Sequence, residues 1–134
     1  MKTVDPTRAA LTELAALPQD KPVVMLNLLR YRDAAAYPPE AAFDPCSGRE
    51  AYRRYSRTAV KQVAAVGGEV VWAGAAMLGV IAPPDERWDD VLLVRYPSVA
   101  AFLDMLGTPD YQAATVHRTA ALEDSRLIAT MAPG

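Results

Sequence analysis

The chain has one cysteine and one histidine among its 134 residues, and only two tryptophans and two phenylalanines. No apolar run approaches the roughly 18 residues that a membrane span needs. The lone cysteine, Cys46, excludes an internal disulfide framework and suits a reducing compartment. The stretch Met1-Lys2-Thr3-Val4-Asp5-Pro6 lacks the apolar core of a signal peptide, so a cytoplasmic location is expected. The lone histidine, His117, excludes any metal site that takes two imidazoles from one chain, and no metal is expected. A net charge of −2 offers no global attraction to nucleic acid or anionic lipid, so neither is an expected partner. With 51% hydrophobic and 22% charged residues the composition is that of a folded chain, and the length suits one domain, 1–134.

Asp5-Pro6 reads as the cap and first position of a short helix, with Leu11, Leu14, Ala15 and Leu17 as a narrow apolar stripe and Pro18 as its stop. Residues 1–20 therefore form an N-terminal helical extension to a main unit spanning 21–131. Residues 23–31 (VVMLNLLRY) read as a strand. Residues 32–47, with Pro38-Pro39 and Pro45, are long enough for a lid, a short-helix insertion or a surface segment. Gly48 to Val66 is the clearest helix: Tyr52, Tyr55, Ala59, Val63 and Val66 share one face, and Gly67-Gly68 ends it. Strands are expected at 70–80, 91–96 and 126–131. Ser98 and Thr108-Pro109 each open a helix, the second running to about Leu122.

Leaving out the first helix, the order is β-α-β-β-α-β, which is α+β: a ferredoxin-like antiparallel four-stranded sheet with helices on one face. The strands VVMLNLL, VVWAGAAML and VLLV are apolar on both faces. Helices cover one face only, with the thin N-terminal helix as the sole spare layer. A wet second face would be a larger apolar patch than monomers normally tolerate. A homodimer that packs two sheets face to face is the economical solution.

A string of features runs through the chain: Met25-Leu26-Asn27-Leu28, Gly48 with Tyr52 and Tyr55, Gly67-Gly68 with Trp72 and Gly74, Trp88-Asp89, Tyr96-Pro97-Ser98, Phe102 with Met105, and Tyr111 followed by His117-Arg118. In this order it resembles the dimeric α/β-barrel superfamily, and most closely its bacterial family known as domain of unknown function 1330, over residues 20–131. The resemblance implies the fold and the dimer. Its superfamily relatives include cofactor-free quinone-forming monooxygenases, haem-degrading enzymes and lactone isomerases, and fold does not choose among them.

Asn27 interrupts an apolar strand, so it is either a structural amide or a donor aimed at a ligand in a cleft between sheet and helices. Tyr52, Tyr55 and Tyr111 lie on inward helix faces, as core residues or as cleft lining. Trp72, beside small residues, is core, interface or ligand wall, and Trp88 is placed to close one end of a pocket. Arg118 shares a face with Tyr111, Thr115 and Leu122; it either pairs with Asp104 or Glu123 or meets an anionic ligand. His117 is a rim group, a general base or, if the resemblance extends to the haem-degrading relatives, an axial haem ligand. Asn27, His117 and Arg118 are thus the candidate catalytic set, with Tyr52, Tyr55, Trp72, Trp88 and Tyr111 as ligand-binding residues. The activity that the resemblance implies, together with the polar residues Asn27 and Arg118, is cofactor-free oxidation or isomerisation of a small organic compound. The alternatives are a non-catalytic ligand-binding dimer and, as the one cofactor reading, a haem protein. Cys46, without a neighbouring histidine in sequence, reads as incidental, and the acidic cluster Asp85, Glu86, Asp89 and Asp90 reads as a polar turn.

Overall fold

A computed structural model describes residues 1–134. It contains helix α1 (Arg8–Ala15), strand β1 (Val23–Tyr31), a 3-10 turn (Pro39–Ala41), helix α2 (Gly48–Ala65), strands β2 (Glu69–Ala75) and β3 (Asp90–Tyr96), helices α3 (Val99–Leu106) and α4 (Pro109–Ala121), and strand β4 (Leu122–Thr130). The class is α+β, and the four strands form an antiparallel sheet in the order β2-β3-β1-β4, the ferredoxin-like arrangement. No helix is long and apolar enough to cross a membrane.

Local chemistry explains most of the boundaries. Ser47, Ser98 and Thr108 cap α2, α3 and α4, each hydroxyl accepting a bond from an N–H three residues on, at 3.0, 3.1 and 3.2 Å. Pro109 fills the first turn of α4, where its missing N–H costs nothing. After α2 the chain turns at Gly67 with φ 82°, a conformation that side chains with a Cβ resist.

Four boundaries differ from the sequence reading. The first helix is capped by Thr7, whose hydroxyl accepts from Ala10 N–H at 3.1 Å, and not by Asp5. Asp5 instead accepts a bond from Thr119 of α4 at 2.9 Å, and Thr3 is bound to β4, so the first residues stay extended. Strand β2 stops at Ala75 where residues up to 80 were expected. Its partner β3 begins at Asp90, opposite Ala75, so the apolar residues that follow have no strand to pair with. Strand β4 begins at Leu122, four residues early, because the register with β1 continues to Tyr31 opposite Leu122 through a bulge. Helix α4 accordingly gives way at Ala121.

Alternation along β1 sorts its side chains. Val23, Met25, Asn27 and Leu29 are buried beneath the helices, whereas Val24, Leu26 and Leu28 point to the other face. The core joins the first set to Ala51, Tyr55 and Val63 of α2 and to Phe102 and Met105 of α3.

Candidate functional site

A cavity of about 930 Å³ lies between the helix-facing side of the sheet and the helices. Met25, Asn27, Leu92 and Val94 form its floor, Tyr52 and Tyr55 of α2 one wall, and Tyr111, Thr115 and Arg118 of α4 another. Its third wall is the N-terminal extension, through Val4, Leu11, Leu14 and Leu17. Of the residues singled out in the sequence, Asn27, Tyr52, Tyr55, Tyr111 and Arg118 therefore meet around one volume.

Asn27 and Ser125 are the two buried polar residues of the chain. The Asn27 amide donates to the Met25 carbonyl at 3.3 Å, while its own carbonyl oxygen accepts no bond from the protein and faces the cavity. Ser125, which sequence reasoning missed, ties the N-terminal segment down: its N–H and hydroxyl both donate to the Thr3 carbonyl, at 2.7 and 2.9 Å. No local signal marks it, because it becomes buried only when the N-terminus crosses β4.

The tyrosines form one aromatic run. Tyr52 and Tyr55 stack at 5.1 Å with an interplanar angle of 9°, and the Tyr55 and Tyr111 hydroxyls share a hydrogen bond of 2.7 Å. Burial pushes Tyr52 up to about 12, with the Arg118 guanidinium beside it acting in the opposite direction. Burial raises Tyr55 well above the usual phenol range, reinforced by Tyr111, and raises Tyr96 as well. These hydroxyls are neutral donors and acceptors at physiological pH.

Arg118 makes no ion pair with Asp104 or Glu123. Glu123 pairs with Lys2 and, at 3.3 Å, with Arg32, while the Arg118 guanidinium donates to the Val4 carbonyl at 2.6 Å. Its neighbour His117, about 100° further round α4, points away from the cavity. There the Tyr37 hydroxyl bonds its Nδ1 at 2.6 Å, and the Tyr37 and Phe43 rings meet it edge-on at 5.5 and 4.6 Å. Burial and the nearby Arg54 charge hold its pKa below the ordinary imidazole value. Tyr37 and Phe43 belong to residues 32–47, so this segment covers the outside of α4 and does not line the cavity; the lid-like wall is the N-terminal extension.

The tryptophans also lie elsewhere. Trp72 is 60% exposed on the far face of the sheet, its indole lying across the space that a side chain at Gly74 would fill. Trp88 sits beneath the Arg126 guanidinium, 5.3 Å from its ring, and closes no end of the cavity.

A protein-family model described as Domain of unknown function (DUF1330) matches residues 46–131. The match is shorter than the expected 20–131 and leaves out Met25 to Leu28. The chain is similar to a solved protein of unknown function from Rhodopseudomonas palustris, with 42% identity, 100% of this chain and 99% of that chain covered, and a TM-score of 0.91. It is similar in fold to a dimeric ferredoxin-like protein of unknown function from Thermobifida fusca (17% identity, 87% and 96% covered, TM-score 0.52). The same holds for the hydroxynitrile lyase of Passiflora edulis (11% identity, 85% and 95% covered, TM-score 0.57). No curated protein matches the chain.

Proposed function

Since the chain belongs to the DUF1330 family, a name that carries no reaction, we propose its function from the cavity: it binds a small organic molecule between sheet and helices, as a homodimer. The cavity itself carries this reading. At about 930 Å³ it lies within the range of small-molecule sites, and it has their composition, apolar walls with a few converging polar groups. The dimer rests on the far face of the sheet, which is apolar and uncovered in one chain, and on the Thermobifida fusca protein of the same fold being described as dimeric.

A second reading is catalytic: isomerisation of the bound molecule, or its cofactor-free oxidation by dioxygen. Its support is the convergence of Asn27 with the Tyr52 and Tyr55–Tyr111 hydroxyls, which would hold a substrate oxygen as negative charge gathers on it. No histidine or cysteine lines the cavity, so a base would have to be Asp5 or Glu13 of the N-terminal extension. The haem alternative drew on His117, which lies behind α4 and supplies no axial ligand to this cavity.

Native mass spectrometry of the freshly purified protein, repeated under denaturing conditions, tests the binding reading. The expected result is a dimer with an adduct that denaturation releases, or one that appears with hits from a thermal-shift ligand screen. Thr115→Trp, which fills the cavity from α4, should abolish uptake, and Asn27→Ala should weaken it. Ligand affinities unchanged in both variants would put the binding site elsewhere. Product formation from the bound compound would select the catalytic reading.

A further inference from the structure

We infer that the molecule held in the cavity is a monocarboxylate with an apolar body, its carboxylate seated between Arg118 and Tyr52. The inference rests on reading the cavity as a ligand site and adds the ligand's charge and shape. Arg118 is the only basic residue in the lining. A half-buried guanidinium is normally matched by a carboxylate, because desolvating a cation without a counter-ion is costly. Arg118 has none: the groups against it are the neutral Val4 carbonyl, which accepts at 2.6 Å from one of its five N–H donors, and the neutral Tyr52 hydroxyl. No guanidinium nitrogen is both sealed from solvent and unpartnered, and the side chain lines the cavity, which leaves donors free for a ligand.

The surroundings set the sign and size of the missing charge. Two acidic residues, Asp5 and Glu13, reach the lining, both from the N-terminal extension, and Asp5 is engaged by the Thr119 hydroxyl at 2.9 Å. Neither pairs with Arg118. The hydroxyl beside the guanidinium, that of Tyr52, is neutral and available as a second donor. One planar cation with one neutral donor matches the two oxygens of a carboxylate, with the geometry of a forked guanidinium–carboxylate pair. A phosphate dianion would keep a charge that nothing else in the lining neutralises. The rest of the wall, Met25, Leu92, Val94, Leu11, Leu14 and Phe102, is apolar and suits an alkyl or aryl body.

The test compares decanoate and naphthalene-2-carboxylate with their primary amides, by isothermal titration calorimetry on the full-length protein at neutral pH. The amides keep skeleton and size and replace the charged two-oxygen acceptor with a neutral group of one acceptor oxygen and one NH2 donor. Each acid is expected to bind at least about tenfold more tightly than its amide. Arg118→Gln should bring that ratio to about one while amide binding persists, and Arg118→Lys should retain part of it. Acid and amide binding equally to the unaltered protein would overturn the charge assignment and leave the cavity reading standing. If neither skeleton binds, both readings fall. The wild-type ratio decides the matter even if Arg118→Gln, by releasing Val4, fails to fold.

Discussion

Met25 and Leu26 are neighbours in the same strand, equally apolar, and they end in opposite circumstances. Met25 is 2% exposed beneath the helices, at the floor of the cavity, whereas Leu26 faces a surface that nothing in the chain covers. Its surroundings there are Leu93 and Ile128, directly opposite it on β3 and β4, with Trp72 one strand further out. Beyond β2 the same exposed character continues through Met77, Leu78, Val80 and Ile81, the last 98% accessible. One sheet thus presents two apolar faces, one folded against its own helices around a ligand-sized space and one left uncovered, where the proposed second copy would pack. Side-chain character alone does not distinguish the faces; what distinguishes them is which one the helices return to.

The sharpest way to break this comparison is to charge each neighbour in turn. Met25→Asp buries a carboxylate with no partner, at a cost of several kcal/mol, a large part of a domain's whole stability. No cooperative thermal transition should be seen by circular dichroism. Leu26→Asp should keep the fold and its melting transition but sediment as a monomer at concentrations where the parent chain is dimeric. A Leu26→Asp protein that remains dimeric would move the interface off this face, and one that unfolds would erase the difference between the faces.

A smaller effect is expected along the segment after β2. Ile81→Asp changes a side chain that touches nothing in its own chain, so the monomer's melting temperature should not move. The dimer dissociation constant should rise about tenfold, the effect of losing one apolar contact at an interface. Inside the cavity, Tyr111→Phe removes the 2.7 Å bond to Tyr55 and should cost about 1 kcal/mol, read as a drop of roughly 3–5 °C in melting temperature.

The parts of this arrangement legible in the sequence are those set by short-range chemistry. The limits of β1, the caps Ser98 of α3 and Thr108 of α4 and the inward tyrosines follow from period and cap residues, and the structure has them in the same places. The misread parts depend on distant partners. Residues 76–80 are as strand-like as Val70, yet they are not a strand, because β3 begins only at Asp90, opposite Ala75. The stripe Leu11, Leu14 and Leu17 is visible in the sequence, but that it walls the cavity depends on Thr3 and Val4 being fastened to Ser125 and Arg118 far along the chain. The sequence leaves Arg118 a choice between an ion pair and a cleft, and the first option falls because Glu123 pairs with Lys2 and Arg32 and no carboxylate pairs with Arg118. Likewise, the helical angle between His117 and Arg118 is readable, and which of them meets the cavity is not.

That last pair carries the comparison over to α4, with the smallest expected effect. His117 accepts from or donates to the Tyr37 hydroxyl on the outer side of the helix, and its pKa is lowered by burial and by Arg54. A base whose folded pKa is depressed binds fewer protons folded than unfolded, so its contribution to stability is complete above the ordinary imidazole value of about 6.5. That contribution declines as pH falls from there toward the lowered folded value. Glu123, held low by the Lys2 contact and by Arg32, and Asp124, held low by its bonds to the Thr3 N–H and Arg126 despite opposing burial, lose their contributions only in a separate, more acidic window. Between pH 7.5 and 5.5 the melting temperature should therefore fall modestly, and His117→Gln should flatten that slope. Over the same window the affinity for an uncharged amide in the cavity should stay constant, because the imidazole does not line the site. An amide affinity that tracked the His117 titration would show that the two sides of α4 are coupled and that residues 32–47 act on the cavity through it.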